Sequence, residues 1–168
     1  MGASVSTTCS TTSPTVLRSA GVKECEARWY NAPSEDPRCY ELQKQLSDAV
    51  EAGDVPKTKE AIERGANVNG GYYQSLPVLE DAASDGSDDE VRFLITAGAQ
   101  INQVRPFGQT ALKKAVFYKH KGTVKILLEK GADVCENTEG TALKYAIDSG
   151  DPELADLLLV KAVANDCQ

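Results

Sequence analysis

The glycines Gly65, Gly98 and Gly131 stand 33 residues apart, and each closes the same phrase. Residues 123–134 form an apolar stretch with helical character, stopped by Gly131 and followed by a short extended run; residues 90–101 and 58–68 repeat it. A second marker keeps step on the preceding helix. Leu46-x-x-Ala49-Val50, Leu79-x-x-Ala82-Ala83, Leu112-x-x-Ala115-Val116 and Leu143-x-x-Ala146-Ile147 follow one another at steps of 33, 33 and 31. A fixed period of this size, built from two short helices and a turn, dictates a solenoid, because each unit buries too little surface alone and must stack on its neighbours. The small alanines let the two helices of a unit approach closely, and the leucines fill the interface with the next unit. Each closing glycine supplies a left-handed residue at little steric cost.

The 33-residue form resembles the ankyrin repeat. Gly108-Gln-Thr-Ala-Leu-Lys-Lys-Ala-Val116 is similar to the family's G-x-T-P-L-H-x-A-A, with Ala111 in the proline place and Lys113 in the histidine place, and Gly140-Thr-Ala-Leu-Lys-Tyr-Ala-Ile147 repeats it. The resemblance implies an all-α fold, an ankyrin-type helix-turn-helix solenoid with short β-hairpin fingers. Its repeat domain spans 37–168, as four modules at about 37–72, 73–105, 106–136 and 137–165. The chain departs from the family pattern in three ways. Ser47, Glu80, Lys113 and Lys144 stand where the family has its histidine. Lys119 occupies the turn position held elsewhere by Gly53, Gly86 and Gly150, where a Cβ disfavours positive φ. The connection between the third and fourth modules is two residues shorter, so that finger should be stunted.

Residues 1–20 are dominated by Ser, Thr and small side chains and are expected to form a disordered tail. Met1-Gly-Ala-Ser-Val-Ser6 matches the pattern for N-myristoylation of Gly2. One such chain binds a membrane with an association constant of only about 10⁴ M⁻¹, so a second lipid, at Cys9, is expected with it. Residues 21–36 are read as a capping helix and linker: Val22, Cys25 and Trp29 share one helical face, Pro33 ends it, and it covers the end of the stack. Asp36-Pro37 then opens the first repeat helix.

The five cysteines are odd in number, scattered and without C-x-x-C spacing, which argues against a disulfide framework or a zinc site; they are expected as free thiols. No apolar run approaches the roughly 18 residues of a membrane span, and no secretory leader is evident, so a cytoplasmic protein is expected, peripheral to a membrane if Gly2 is acylated. The net charge of −7 excludes general nucleic-acid binding, although residues 106–136 form one basic module with six lysines against three acids.

Nothing in the chain has the pattern of a catalytic constellation, a phosphate loop or a paired metal site, so no catalytic residue, cofactor or metal is assigned and a non-enzyme is expected. His120, the one histidine, falls at an inter-helix turn and is read as structural. Asp88-Asp89-Glu90 opens a helix, where carboxylates offset the dipole and cap N–H groups. Asn69 and Asn102 are likewise read as structural turn residues.

In proteins of the family the partner binds a concave face made by the fingers and the first helix of each module. Carried over, the fingers supply Tyr72, Tyr73, Gln74 and Leu76, then Arg105, Pro106, Phe107 and Gln109, then the shortened Asn137 and Thr138. The helix ends supply Glu51 and Ala52, Ser84 and Asp85, Phe117 and Tyr118, and Asp148 and Ser149. Five of the ten aromatic residues, Tyr72, Tyr73, Phe107, Phe117 and Tyr118, fall at these places, and aromatic side chains concentrate at binding surfaces. The candidate site therefore joins Tyr72, Tyr73, Gln74, Arg105, Phe107, Gln109, Lys113, Phe117 and Tyr118, with Lys113, Lys114 and Arg105 flanking one side and Glu80, Asp81 and Asp85 the other. The competing reading is that these rings pack on one another. The function expected is a monomeric adaptor or scaffold that binds another protein. The alternatives are a stoichiometric inhibitor of an enzyme such as a kinase, or a structural subunit of a larger complex.

Overall fold

A computed structural model describes Cys25 and residues 37–70, 77–104, 109–135 and 141–165. Within them lie α1 (Pro37–Glu51), α2 (Val55–Glu63), α3 (Val78–Asp85), α4 (Asp88–Thr96), α5 (Ala111–Phe117), α6 (Lys121–Glu129), α7 (Ala142–Asp148) and α8 (Pro152–Ala164). Consecutive helices pair as four hairpins, and the hairpins stack: α1, α3, α5 and α7 form one layer and α2, α4, α6 and α8 the other. The odd layer packs more closely than the even one, so the stack curves towards the odd helices. This is the all-α solenoid that the 33-residue period implies. The finger segments 71–76, 105–108 and 136–140, and the tail at 1–20, lie outside the described residues.

The two sequence markers explain the packing. Ala82, Ala115 and Ala146 are fully buried and Ala49 nearly so, which brings the helices of each hairpin together. Leu46, Leu79 and Leu112 are buried in the core that runs through the stack. At roughly 25 cal/mol per Å² of apolar surface, it is this repeated burial rather than helix propensity that holds such short helices. The turns obey the glycine pattern: Gly53, Gly86 and Gly150 have φ of 64°, 72° and 66°, and Lys119 adopts 62° in their place, the one non-glycine residue with positive φ among those described.

Modules are tied together by a recurring side-chain brace. Asn69 accepts the Gln100 N–H at 2.7 Å and donates to the Gly98 carbonyl at 3.2 Å. One period later Asn102 accepts the Asp133 N–H at 2.8 Å and donates to the Gly131 carbonyl at 3.1 Å. Gly65 stands in the same place one period earlier, and its carbonyl accepts the Cys25 N–H at 3.0 Å. Cys25 thus takes the position of a preceding module. Its own carbonyl accepts from Asn67 Nδ2 at 2.9 Å, while Gln43 Nε2 donates to the Asn67 and Gly70 carbonyls, both at 3.0 Å.

Two expectations are corrected here. Cys25 is not helical, because its N–H and carbonyl are engaged by module one rather than by neighbours four residues away, so the helix read from Val22, Cys25 and Trp29 is not formed at that residue. Nor are the cysteines all free: Cys25 and Cys39 form a disulfide with Cα atoms 5.5 Å apart, and Cys135 is disulfide-bonded to a residue outside the described set. The sequence offers no spacing signal for this bridge, since chain return across 14 residues brings the two together.

Candidate protein-binding surface

Thr110 opens α5, its hydroxyl accepting the Lys113 N–H at 3.3 Å, and the helix runs only as far as Phe117 before the left-handed Lys119 turns the chain into α6. This short helix leaves Phe117 and Tyr118 at its end, 58% and 50% exposed. Their rings meet edge to face at 5.1 Å between centroids. Phe117 also reaches across to module four, where Tyr145 of α7 lies edge to face at 6.1 Å. Tyr118 stacks on His120 at 6.3 Å, and His120 is fixed in turn by a 2.8 Å contact from Nε2 to the Ser84 carbonyl. The three aromatic rings are therefore an ordered strip bridging modules three and four on the odd layer. Lys119 stands beside it, donating to the Ser149 carbonyl at 3.2 Å.

The remaining candidates divide. Gln109 is half-buried and precedes the opposite end of α5, whose first residue Ala111 is about 9 Å of helix rise away from Phe117. Lys113 and Glu80 are each only 2% exposed, which corrects their assignment to the rim of the surface. Both occupy the family's histidine position, which faces the next module, so stacking covers them. Tyr72, Tyr73, Gln74, Arg105 and Phe107, and the lipidation candidates Gly2 and Cys9, lie outside the described residues. Tyr145 was missed. It aligns with Lys114, one turn inside the helix end, and only the neighbouring module brings it to Phe117.

The acidic run divides too. Asp88 accepts the Thr123 hydroxyl at 2.7 Å, Asp89 is exposed, and Glu90 is buried facing Thr58 on α2. The three carboxylates do not converge, and among the described residues no group of three metal-ligating side chains is close enough to hold an ion. Burial pushes the Glu90 carboxyl above its ordinary value, the Thr58 hydroxyl opposes this, and the Asp54 charge adds to it. A carboxyl raised on folding contributes stability that is fully present below its unfolded pKa and lost as pH rises through the folded one. Glu90→Gln should therefore stabilise the protein at pH 7, by about 1 kcal/mol, with the gain vanishing near pH 4. Paired urea melts at the two pH values check this; equal gains at both would contradict it.

A shallow cleft of about 340 Å³ between α1 and α2 has Ala49, Ala52 and Ala61 among its lining residues. Of its charged residues, Lys57 pairs with Asp54 at 2.7 Å and Arg64 donates to Gln45 at 3.1 Å.

The geometry above, with paired helices, braced turns and a curved odd layer, is matched at the level of sequence. The family model described as ankyrin repeats (3 copies) matches residues 79–167, over half the chain. The chain belongs to the ankyrin repeat family. Helices α1 and α2 precede the match and pack on it as a further helical hairpin. The ankyrin repeat protein FPV230 of Fowlpox virus is 30% identical, with 62% of this chain and 74% of that protein covered. A second Fowlpox virus ankyrin repeat protein, FPV014, is 31% identical over 68% of this chain and 27% of its own length. The tyrosine-protein kinase HTK16 of Hydra vulgaris is 30% identical over 55% of this chain, which spans only 13% of the kinase. Ankyrin repeats are protein–protein interaction modules, and that is the function of this array. No helix among the described residues is long and apolar enough to cross a membrane.

Proposed function

We propose that the array is a non-enzymatic adaptor that holds another protein on its odd-helix face, with Phe117 and Tyr118 as the anchors. The observation that carries this reading is the exposure of two adjacent aromatic rings that are nonetheless held in place by Tyr145 and His120. Rings fixed before binding lose little entropy on docking, and aromatic anchors of this kind dominate interface energetics. In the same proposal a myristoyl group on Gly2, supported by a second lipid on Cys9, delivers the module to the cytoplasmic face of a membrane.

The test is affinity capture with mass spectrometry, run on the wild type and on Phe117→Ala/Tyr118→Ala. Each truncation of an anchor should cost about 2 kcal/mol, so a partner held at micromolar affinity is lost from the variant while helical content is unchanged. Identical capture by both proteins would show that the rings are packing residues. A captured enzyme whose activity falls on binding would convert the adaptor into an inhibitor using the same face.

A further inference from the structure

Of the odd-layer helices, three end on a carboxylate. Glu51 closes α1, Asp85 closes α3 and Asp148 closes α7, and all three are exposed. The remaining one, α5, ends on Phe117. These ends lie side by side: Gly53 of the first turn lies against Ser87 of the second, His120 of the third reaches the Ser84 carbonyl, and Lys119 donates to the Ser149 carbonyl of the fourth. Glu51 stands two periods before Phe117 and Asp85 one period before Tyr118, so the carboxylates and the rings share one row across the stack.

Folding does not account for these charges. The C-terminus of a helix carries the negative end of its dipole, where a carboxylate is unfavourable and a lysine or arginine would be favourable. Yet α1, α3 and α7 have no basic residue in the last turn, and Asp48 and Asp81 add a second carboxylate one turn inside Glu51 and Asp85. No lysine or arginine follows Lys44 in α1, and α3 contains none. Residues that work against local stability are expected where a surface serves binding. Beside the rings the sign changes. Lys114 stands one turn before Tyr118, and Lys119 follows it.

We infer that the partner held at Phe117 and Tyr118 is a basic segment of another protein, lying extended along this row with an apolar side chain on the rings and lysines or arginines against Asp85 and Glu51. The inference rests on the reading of the rings as anchors and adds what the partner must carry. Carboxylates in the row attract a cationic chain and repel an acidic one. Lys114 and Lys119 act the other way at the rings themselves: they disfavour an arginine stacked there by cation–π attraction, so the anchor is apolar. Packed helices stand about 8–10 Å apart, and an extended chain rises about 3.3 Å per residue. The first cation therefore falls about three residues from the anchor, facing Asp85, and the second about six, facing Glu51.

Selection from a phage-displayed library of random dodecapeptides on the immobilised 168-residue chain tests it. Enriched peptides should carry an apolar residue with lysine or arginine about three residues to one side. A synthetic copy of one should bind Glu51→Lys/Asp85→Lys about tenfold more weakly than the wild type, with the gap narrowing as salt is added. That variant should keep its helical circular dichroism, because lysine suits a helix C-terminus. Glu129→Lys/Asp156→Lys makes the same change of net charge at exposed sites of the even layer and should bind as the wild type does. No enrichment, enrichment of acidic or uncharged peptides, or equal weakening by the two charge variants would overturn the inference. A peptide released by Phe117→Ala/Tyr118→Ala but indifferent to Glu51→Lys/Asp85→Lys overturns it too, and leaves the rings as anchors. A peptide indifferent to Phe117→Ala/Tyr118→Ala overturns the anchor reading itself, and the inference with it.

Discussion

Replacing Cys25 and Cys39 together by serine lowers the melting temperature by about 6–12 °C. The bridge closes a loop of 14 residues, for which the loss of unfolded-state entropy gives about 3 kcal/mol, and a chain of this size shifts by about 2–4 °C per kcal/mol. Location matters as well as loop length. Cys25 is the residue that replaces a preceding module, so losing its tether frees the Gly65 carbonyl and the Asn67 side chain at the edge of the stack. The loss should therefore be graded, with hydrogen exchange rising first in residues 65–70 and little in α5 and α6, because each repeat contacts only its neighbours. Adding a reductant to the wild type should lower the melt by at least this shift, because it also opens the bond at Cys135. A cytosol keeps thiols reduced, so that second melt measures the stability that a reducing compartment would leave. A wild type whose melt is indifferent to reductant would contradict the role assigned to the bridge.

Gly86→Ala is the second change with a large effect, about 2–4 kcal/mol of destabilisation. Gly86 has φ of 72°, and a Cβ there would collide with the His120 ring, lying 2.6 Å from Cγ and 2.8 Å from Cε1. The ring cannot move without breaking its contact to the Ser84 carbonyl and its stacking on Tyr118. Backbone strain is the smaller part of this cost, since Lys119 tolerates φ of 62° in the equivalent turn. At Gly150 a Cβ meets nothing within 4 Å, so Gly150→Ala should cost only about 1 kcal/mol. The same smaller cost is expected for Gly86→Ala made in a His120→Ala background. Denaturant melts of the four variants decide the matter; equal costs at Gly86 and Gly150 would mean that the His120 ring yields freely.

What was legible in the chain was whatever repeats. Glycines in phase marked the turns and helix stops, alanines and leucines in phase marked the core, and Asn69 and Asn102 read as structural turn residues, though not as the braces that join modules. His120 reads as structural from both directions. What does not repeat was harder to see. The Cys25–Cys39 bond depends on how the segment before the array returns to α1, which no periodicity encodes. Lys113 looked like a surface cation because lysines usually are, yet its place in the repeat faces the next module, and stacking buries it. Tyr145 escaped notice for the converse reason: its own module leaves it unremarkable, and the contact with Phe117 exists only between modules.

The central claim is that a partner docks on the odd-helix face at Phe117 and Tyr118. Photo-crosslinking tests it most directly, with a benzophenone side chain placed either at Tyr118 or at Lys125 on the exposed side of α6. One partner crosslinked from position 118 and not from position 125 is the expected result. Equal crosslinking from both positions, or crosslinking from position 125 alone, would contradict it.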